Sequence, residues 1–201
     1  MNMKNNSTLL VFDLDNTLID TKFAKARNKI TGTEYSSEEY NKLESTSEYV
    51  DHDEFDYSDF DSVSILNNEK TLWPFDVLKI IESMLPGNCH IITGRHNPDV
   101  IKFWLSRKEI EISPNHIHCP NYGDSISDFK YDTVENILED NPNYKEVFIF
   151  EDNEEYAKSM IRSAMDRNVI PIWVCPNDRK EYKQSFIISK ILTGMHDACK
   201  Q

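Results

Sequence analysis

Two aspartates, Asp13 and Asp15, follow directly on a run of four apolar residues and stand two positions apart. Carboxylates this close repel one another unless a cation or a shared proton compensates. Mg²⁺ is the natural cation, because it takes oxygen ligands and works with one or two carboxylates plus substrate phosphate. The pattern predicts phosphoryl transfer, with Asp13 as nucleophile, Asp15 as acid and base, and Thr17 offering a hydroxyl nearby. The alternative is a strand that ends in an Asx-turn and caps the next helix.

Two later apolar runs, 89–92 and 147–150, also end in polar residues. The carboxyl ends of parallel strands lie at the edge of the sheet where ligands bind, so we expect these groups to lie near Asp13 and Asp15. The residues that follow the two runs are Thr93, Gly94 and Arg95 in the first case and Glu151 and Asp152 in the second.

Each residue of the first group has a role in phosphoryl transfer and a structural alternative. Thr93 can donate a hydrogen bond to a phosphoryl oxygen, or it is an ordinary strand residue. Gly94 leaves room for the phosphate in the turn. Arg95 can hold the phosphate or base of a substrate, or it forms an ion pair with the acidic segment 34–62.

The second group is expected to complete the metal site. Asp152 joins Asp13 as a Mg²⁺ ligand, and Glu151 supports these ligands or is itself an auxiliary ligand. The alternative is that both carboxylates stand there for a structural reason, at the N-terminus of the next helix.

A lysine is also required, to neutralise the nucleophile and the charge of the transferring phosphoryl group. We select Lys130, at the start of the helix that precedes the Glu151–Asp152 strand, with Lys108 and Lys145 in reserve. The alternative for Lys130 is an ordinary surface lysine.

The elements that must position these residues alternate between strand and helix, which predicts an α/β fold with a five-stranded parallel sheet in three layers. Apolar positions place helices from Trp73 and from Pro98, and a closing amphipathic helix over 179–196. A basic stretch over 21–30 is also interpreted as helical.

Residues 34–62 differ from the rest, because acidic and aromatic residues alternate there and Lys42 is the single Lys or Arg. The aromatic residues indicate that the segment packs. We interpret this segment as a small insert over the carboxyl edge of the sheet. The alternative is a solvated acidic subdomain with no role in the site.

The net charge of −13 over 201 residues disfavours a long polynucleotide substrate and favours a small phosphorylated one. No apolar run reaches the ~20 residues that a membrane helix needs. The four cysteines form no CxxC pair, so a zinc site is not expected. We expect them to be reduced thiols in a cytoplasmic protein. The oligomeric state is left open.

These residues together resemble the haloacid-dehalogenase (HAD)-like phosphohydrolase superfamily. The resemblance rests on Asp13-Leu14-Asp15-Asn16-Thr17, Thr93-Gly94-Arg95, Lys130 and Glu151-Asp152. It implies a Rossmann-like core of residues 1–20 and 73–201, with a small acidic cap of residues 21–72 inserted after the first motif. It also implies an aspartyl-phosphate on Asp13. It also implies Mg²⁺ held by Asp13, the backbone carbonyl of Asp15, and Asp152. A second aspartate at position 15 fits phosphatases rather than dehalogenases.

Within the superfamily, the segments 92–95 and 150–153 are most similar to the phosphatase part of bacteriophage polynucleotide kinase-phosphatases and to RNA-repair-like phosphatase domains. The main hypothesis is a Mg²⁺-dependent phosphomonoesterase, acting on nucleotides or another small phosphomonoester. A 3′-phosphatase that processes nucleic-acid ends is the second hypothesis. It requires a basic surface beside the site, for which the candidates are Lys22, Lys25, Arg27, Lys29, Arg95 and Arg107. The third is a non-catalytic binding protein with the same fold.

Overall fold

The computed structural model describes residues 7–46 and 50–174. In chain order, the described strands are β1 (Thr8–Phe12), β2 (Ile19–Asp20), β3 (Ala26–Asn28), β4 (Glu34–Tyr35), β5 (Phe55–Asp56), β6 (Lys70–Thr71), β7 (Cys89–Ile92), β8 (Ile117–His118), β9 (Glu146–Glu151) and β10 (Asn168–Trp173). The described α-helices are α1 (Ser37–Thr46), α2 (Val63–Asn68), α3 (Trp73–Met84), α4 (Pro98–Arg107), α5 (Ile126–Asp140) and α6 (Glu154–Ser163). Single 3₁₀ turns lie at His52–Glu54 and Pro114–His116.

The central sheet has five parallel strands in the order β10-β9-β1-β7-β8. β1 lies in the middle, with Phe12 opposite Phe150 of β9 and Ile91 of β7. Every residue of β1 is buried, because helices cover both faces of the sheet. The predicted α/β class and five-stranded parallel sheet are therefore confirmed.

Side chains of β1 alternate between two separate apolar clusters. Leu10 and Phe12 pack with α3 and α4, whereas Leu9 and Val11 pack with α5 and α6. This alternation follows from the two-residue period of a strand. It produces the predicted three layers, with one pair of helices on each face of the sheet.

The insert begins at β2 and ends at β6, which pair with each other in antiparallel register. Between them, β3 pairs with both β4 and β5 in a small antiparallel sheet. An apolar cluster separate from those of the core contains Ala26, Tyr40 and Phe55. The insert thus packs around its own apolar residues, as its aromatic content predicted.

The predicted helix over 21–30 is wrong, because this segment is extended and includes β3. The reason is Glu69, whose carboxylate accepts the backbone N–H groups of Lys22, Phe23 and Ala24 at 2.9, 2.8 and 3.2 Å. This carboxylate lies 45 to 47 residues further along the chain and holds the backbone of the segment in place, so the contact is not visible in the local pattern.

Two further predictions need adjustment or lie outside the description. The helix assigned from Lys130 onward begins earlier, at Ile126, with Ser125 as its N-cap, so Lys130 lies one turn inside it. The predicted helix over 179–196 lies outside the described residues.

Among the described residues, Cys89 and Cys119 are free thiols. Across 7–46 and 50–174, no helix has both the length and the apolar character that crossing a membrane requires.

Candidate active site

The centre of the site is a buried lysine between two carboxylates. Lys130 Nζ donates to Asp13 Oδ1 at 2.7 Å and to Glu151 Oε2 at 2.6 Å. All three side chains are almost completely buried. Burial alone would lower the pKa of Lys130, but the two carboxylates raise it, so the ammonium stays charged. The sheet brings Asp13 close to Glu151. The backbone amide of Asp13 donates to the carbonyl oxygen of Phe150, the residue before Glu151, at 3.0 Å and so continues the pairing of β1 with β9.

Asp152 adds a third carboxylate beside this pair. Oxygen atoms of Asp13, Glu151 and Asp152 all lie within 4.8 Å of one another. Burial raises the pKa of each of these acids to about 7, with neighbouring carboxylates contributing to the rise for all three. The single ammonium of Lys130 does not balance three carboxylates. Their all-oxygen donor set fits Mg²⁺, which would offset the remaining charge.

Glu151 differs from the other two carboxylates in its hydrogen bonds. Its Oε2 accepts from Lys130, and its Oε1 accepts from the backbone amide of Asn153 at 3.1 Å. Both oxygens of Glu151 therefore have protein partners. Asp13 and Asp152 are the carboxylates of this cluster best placed to bind a cation directly, with Glu151 holding Lys130 and the strand end in position.

Asp15 points to a different cation. Its carboxylate accepts two hydrogen bonds from Arg95, from Nε at 2.9 Å and from Nη2 at 2.7 Å. It accepts a third from the hydroxyl of Thr21 at 2.7 Å. Burial opposes ionisation of Asp15, but Arg95 and Thr21 outweigh it and hold the pKa below its usual value. Asp15 is thus a carboxylate anchored in one orientation beside Asp13.

Arg95 also connects the core to the insert. Its Nη1 donates to the carbonyl oxygen of Phe60 at 2.5 Å, and its guanidinium lies 5.4 Å from the centre of the Phe60 ring. The sequence left open whether Arg95 would bind a substrate or an acidic residue of the insert. In the structure its carboxylate partner is Asp15 of the core, and the insert contributes a backbone carbonyl.

The two threonines of the predicted site are fully buried and do not line the cavity. The Thr93 hydroxyl accepts the backbone amide of Arg95 at 3.2 Å, which fixes the turn after β7. The Thr17 hydroxyl has no hydrogen-bond partner among the described residues. Gly94 does line the cavity, and a Cβ added to it would lie 3.6 Å from Ile126, an ordinary contact.

A cavity of about 1150 Å³ opens over the carboxylates. The core contributes the strand ends, the 122–127 segment and the start of α6, while the insert contributes a second wall. Residues of the insert that line it are Ala26, Lys29, Ser37, Tyr40, Lys42, His52, Asp53, Phe55, Tyr57, Phe60 and Asp61. The carboxylates and the insert therefore share one cavity.

Several contact residues were missed by sequence reasoning. Thr21 lies in the segment mistaken for a helix, and Phe60 contacts Arg95 through its backbone, which no side-chain pattern reveals. Tyr156, whose ring lies 4.9 Å from Lys130 Nζ, was not among the residues singled out in the sequence. The acidic and aromatic composition of the insert was the one signal that pointed toward its wall of the cavity.

The basic surface that a nucleic-acid end would need is largely neutralised. Lys22 pairs with Asp20, and Arg27 pairs with Glu34. Of the six candidate residues, Lys29 and Arg95 line the cavity, and Arg95 is buried against Asp15. Three of the six candidates, Lys22, Arg27 and Arg95, are thus paired with carboxylates, and four of the six do not line the cavity.

The fold matches that of a solved HAD domain. The HAD domain of the effector protein Lem4 from Legionella pneumophila superposes with a TM-score of 0.53 at 16% sequence identity, over 94% of this chain and 96% of that one. No protein-family model and no curated protein matches the sequence. The chain thus has the fold of the HAD-like superfamily, as its motifs predicted. The finer similarity to phage polynucleotide kinase-phosphatases stays a prediction.

Proposed function

We propose that the protein is a Mg²⁺-dependent phosphomonoester hydrolase that acts through an aspartyl-phosphate on Asp13. The observation that carries this proposal is the Asp13–Lys130–Glu151 arrangement beside Asp152, at the carboxyl edge of parallel strands. Such an edge is where ligands bind in open α/β sheets. The shared fold with a HAD domain supports the proposal, and so does the contact of Lys130 with Asp13 and Glu151, three of the residues on which the family resemblance rests.

In the first step, a carboxylate oxygen of Asp13 forms a bond to phosphorus while the bond from phosphorus to the leaving oxygen breaks. Lys130 stabilises the negative charge that Asp13 brings and that the phosphoryl oxygens carry. In the second step, water attacks the same phosphorus and releases phosphate, which restores Asp13. Glu151 keeps Lys130 in position through both steps.

Asp15 moves the protons. It gives one to the leaving oxygen in the first step and takes one from water in the second. Its pairing with Arg95 favours the ionised form, which is the form that accepts the proton of water. Donation in the first step requires the carboxylate to be protonated, so the Arg95 pair has to loosen when substrate is bound.

Asp13 and Asp152 would hold Mg²⁺, together with the backbone carbonyl of Asp15 that the family resemblance implies. Bound there, the cation would neutralise carboxylates and phosphoryl oxygens that would otherwise repel one another. The substrate proposed is a small phosphomonoester of the nucleotide class, because the net charge of −13 repels a polyanion.

The test is phosphate release by the full chain, with Mg²⁺ and after its removal by chelation. The panel contains a generic aryl phosphate, 3′- and 5′-mononucleotides, 3′-phosphorylated oligonucleotides and sugar phosphates. Asp13→Asn is nearly isosteric and serves as the blank. Asp140→Asn makes the same chemical change at an exposed position at the end of α5 and serves as the matched control.

Release that needs Mg²⁺, disappears in Asp13→Asn and persists in Asp140→Asn would support the proposal. Activity retained by Asp13→Asn would overturn the covalent mechanism. A second readout is thermal unfolding, because a ligand that binds only the folded state raises the melting temperature. Mg²⁺ that stabilises the protein without any phosphate release would identify a binding protein with the same fold.

A further inference from the structure

Tyr122 is a large aromatic side chain that remains mostly in contact with solvent. It is 71% exposed, and it lines the same cavity as Asp13. An aromatic ring stabilises a protein mainly when it is buried away from water, and the ring of Tyr122 is not buried. An exposed ring that faces a candidate active site is available to stack on a substrate.

The turn that carries Tyr122 is fixed by its neighbours. Asp124 accepts hydrogen bonds from the backbone and side-chain nitrogens of Asn121 at 2.8 and 3.2 Å. Gly123 follows Tyr122 with a φ of +87°, a conformation that favours glycine. Tyr122 is therefore presented on a constrained turn.

His96 supports one side of the Tyr122 ring. The two ring centres are 4.1 Å apart, and Nδ1 of His96 donates to the carbonyl oxygen of Pro120 at 3.1 Å. The planes of the two rings are tilted by 32°. His96 follows Arg95 directly, so the pair is tied to the carboxyl edge of the sheet on one side and to the 120–124 turn on the other.

The insert lies across from this pair. The hydroxyl of Tyr122 is 3.4 Å from a carboxylate oxygen of Asp61, and the preceding residue, Phe60, contacts Arg95. A planar group bound on Tyr122 would thus have carboxylate oxygens of Asp61 within reach. Such oxygens accept hydrogen bonds from sugar hydroxyls and exocyclic amines, both of which a nucleoside has.

Other aromatic residues of the cavity have a structural explanation. Tyr40 is 8% exposed and belongs to the apolar cluster of the insert. Its hydroxyl is hydrogen-bonded to Tyr57 at 2.5 Å and to His52 at 3.0 Å. These groups hold the insert together, so the argument for a stacking surface rests on Tyr122 and His96.

We propose that Tyr122, supported by His96, is the subsite for the base of a nucleoside monophosphate whose phosphate reaches Asp13. This proposal rests on the proposed phosphatase function and names its substrate class. Within the described residues, Tyr122 is the one tyrosine or phenylalanine of the cavity that is mostly exposed, and four of the six candidate basic residues do not line the cavity, which fits one nucleotide rather than a polynucleotide.

The experiment compares adenosine 5′-monophosphate with ribose 5-phosphate, which present the same phosphate on the same sugar carbon and differ in the base. The unaltered protein should prefer the nucleotide in kcat/KM. Because stacking contributes about tenfold or more per base, Tyr122→Ala should lower kcat/KM for the nucleotide by about tenfold, mainly through KM. The preference over ribose 5-phosphate should shrink accordingly, and Tyr122→Phe should keep it.

The matched control is Phe103→Ala, which removes an aromatic ring that is 48% exposed on α4 and does not line the cavity. It should leave the preference intact. Equal losses on both substrates in Tyr122→Ala, or a preference retained by it, would overturn the subsite.

A binding measurement separates this inference from the proposed function. Calorimetric titration of Asp13→Asn with adenosine 5′-monophosphate should show binding that Tyr122→Ala weakens. Release from the aryl phosphate without binding or turnover of the nucleotide would overturn the subsite and leave the phosphatase standing. Tyr122-dependent binding without release from any phosphate would overturn the phosphatase and leave the subsite standing.

Discussion

Arg95 binds both carboxylate oxygens of Asp15, 80 residues earlier in the chain, and at the same time reaches the carbonyl oxygen of Phe60 in the insert. One buried guanidinium thus connects the predicted acid and base with the wall of the cavity above it. Its planar fork of donors makes this arrangement possible, since a lysine ammonium cannot bind two oxygens of one carboxylate and a third acceptor in the same plane.

We expect Arg95→Lys to destabilise the protein, because a lysine cannot replace these three hydrogen bonds in a buried site. Removing one partner of a buried ion pair lowers the free energy of unfolding by about 3–5 kcal/mol. Because Arg95→Lys keeps a positive charge, we expect its loss to stay below that range. Urea unfolding gives the loss, and hydrogen exchange should show faster exchange around residues 58–62.

The matched control is Arg27→Lys. Arg27 also donates twice to a carboxylate, that of Glu34, but this pair is exposed. Solvent screens such pairs, so no measurable loss of stability is expected. Equal losses in the two variants would show that the Asp15 pair contributes no more than a surface contact.

Asp15→Asn should slow hydrolysis of an alkyl phosphate by roughly two to four orders of magnitude, the usual contribution of a positioned acid and base. An aryl phosphate should lose less, because a phenolate leaves without being protonated. Steady-state rates on both substrates test this, with circular dichroism to show that the variant is folded. Equal losses would contradict proton donation and leave Asp15 as a base for water alone.

Lys130→Met should abolish most activity and also lower stability. Without the ammonium, Asp13 and Glu151 face each other in a buried site with no cation, so we expect a loss of about 3–5 kcal/mol and a fall in kcat of at least about a hundredfold. Lys145→Met is the control, because Lys145 is exposed and does not line the cavity. A normal kcat in folded Lys130→Met would exclude Lys130 from catalysis.

A histidine cluster away from the site should lower the free energy of unfolding as pH falls, against the three carboxylates of the site, whose raised pKa works in the opposite direction. His90 stacks on His116 at 4.1 Å and shares a hydrogen bond with His118 at 3.0 Å. Burial, followed by repulsion from the neighbouring histidines, lowers the pKa of His90 to about 2 and that of His118 to about 4. The unfolded chain takes up these protons near pH 6.5. The contribution of the two histidines to the free energy of unfolding is therefore fully present above that pH and falls as pH decreases toward 4.

Urea unfolding of the unaltered protein and of His90→Phe at pH 7.5 and pH 5 isolates the histidine contribution, which is at most about 2 kcal/mol for each histidine at pH 5. His90→Phe keeps a ring in the stack and cannot titrate, so acidification should lower its unfolding free energy less, or raise it more, than that of the unaltered protein. An identical slope in the variant and the unaltered protein would assign the acid sensitivity to other groups.

Local patterns were sufficient for the fold. The buried run before Asp13, the alternation of strands and amphipathic helices, and the polar residues after each strand all predicted a parallel sheet with chemistry at its carboxyl edge. They succeeded because burial of an apolar strand or helix face depends on neighbouring residues in the chain. The 21–30 segment failed for the same reason, since Glu69 satisfies its backbone from outside the local pattern.

What the sequence by itself determined is the set of groups that meet at this edge: Asp13, Asp15, Lys130, Glu151 and Asp152, with the turn from Thr93 to Arg95. Which cation binds which carboxylate was decided by the tertiary structure. Lys130 forms an ion pair with Asp13, 117 residues away, and Arg95 forms one with Asp15 rather than with a carboxylate of the insert. These choices depend on strand order, on where α5 begins and on how the insert closes over the core, and electrostatic attraction acts only once those elements have brought the charges within a few ångströms of one another.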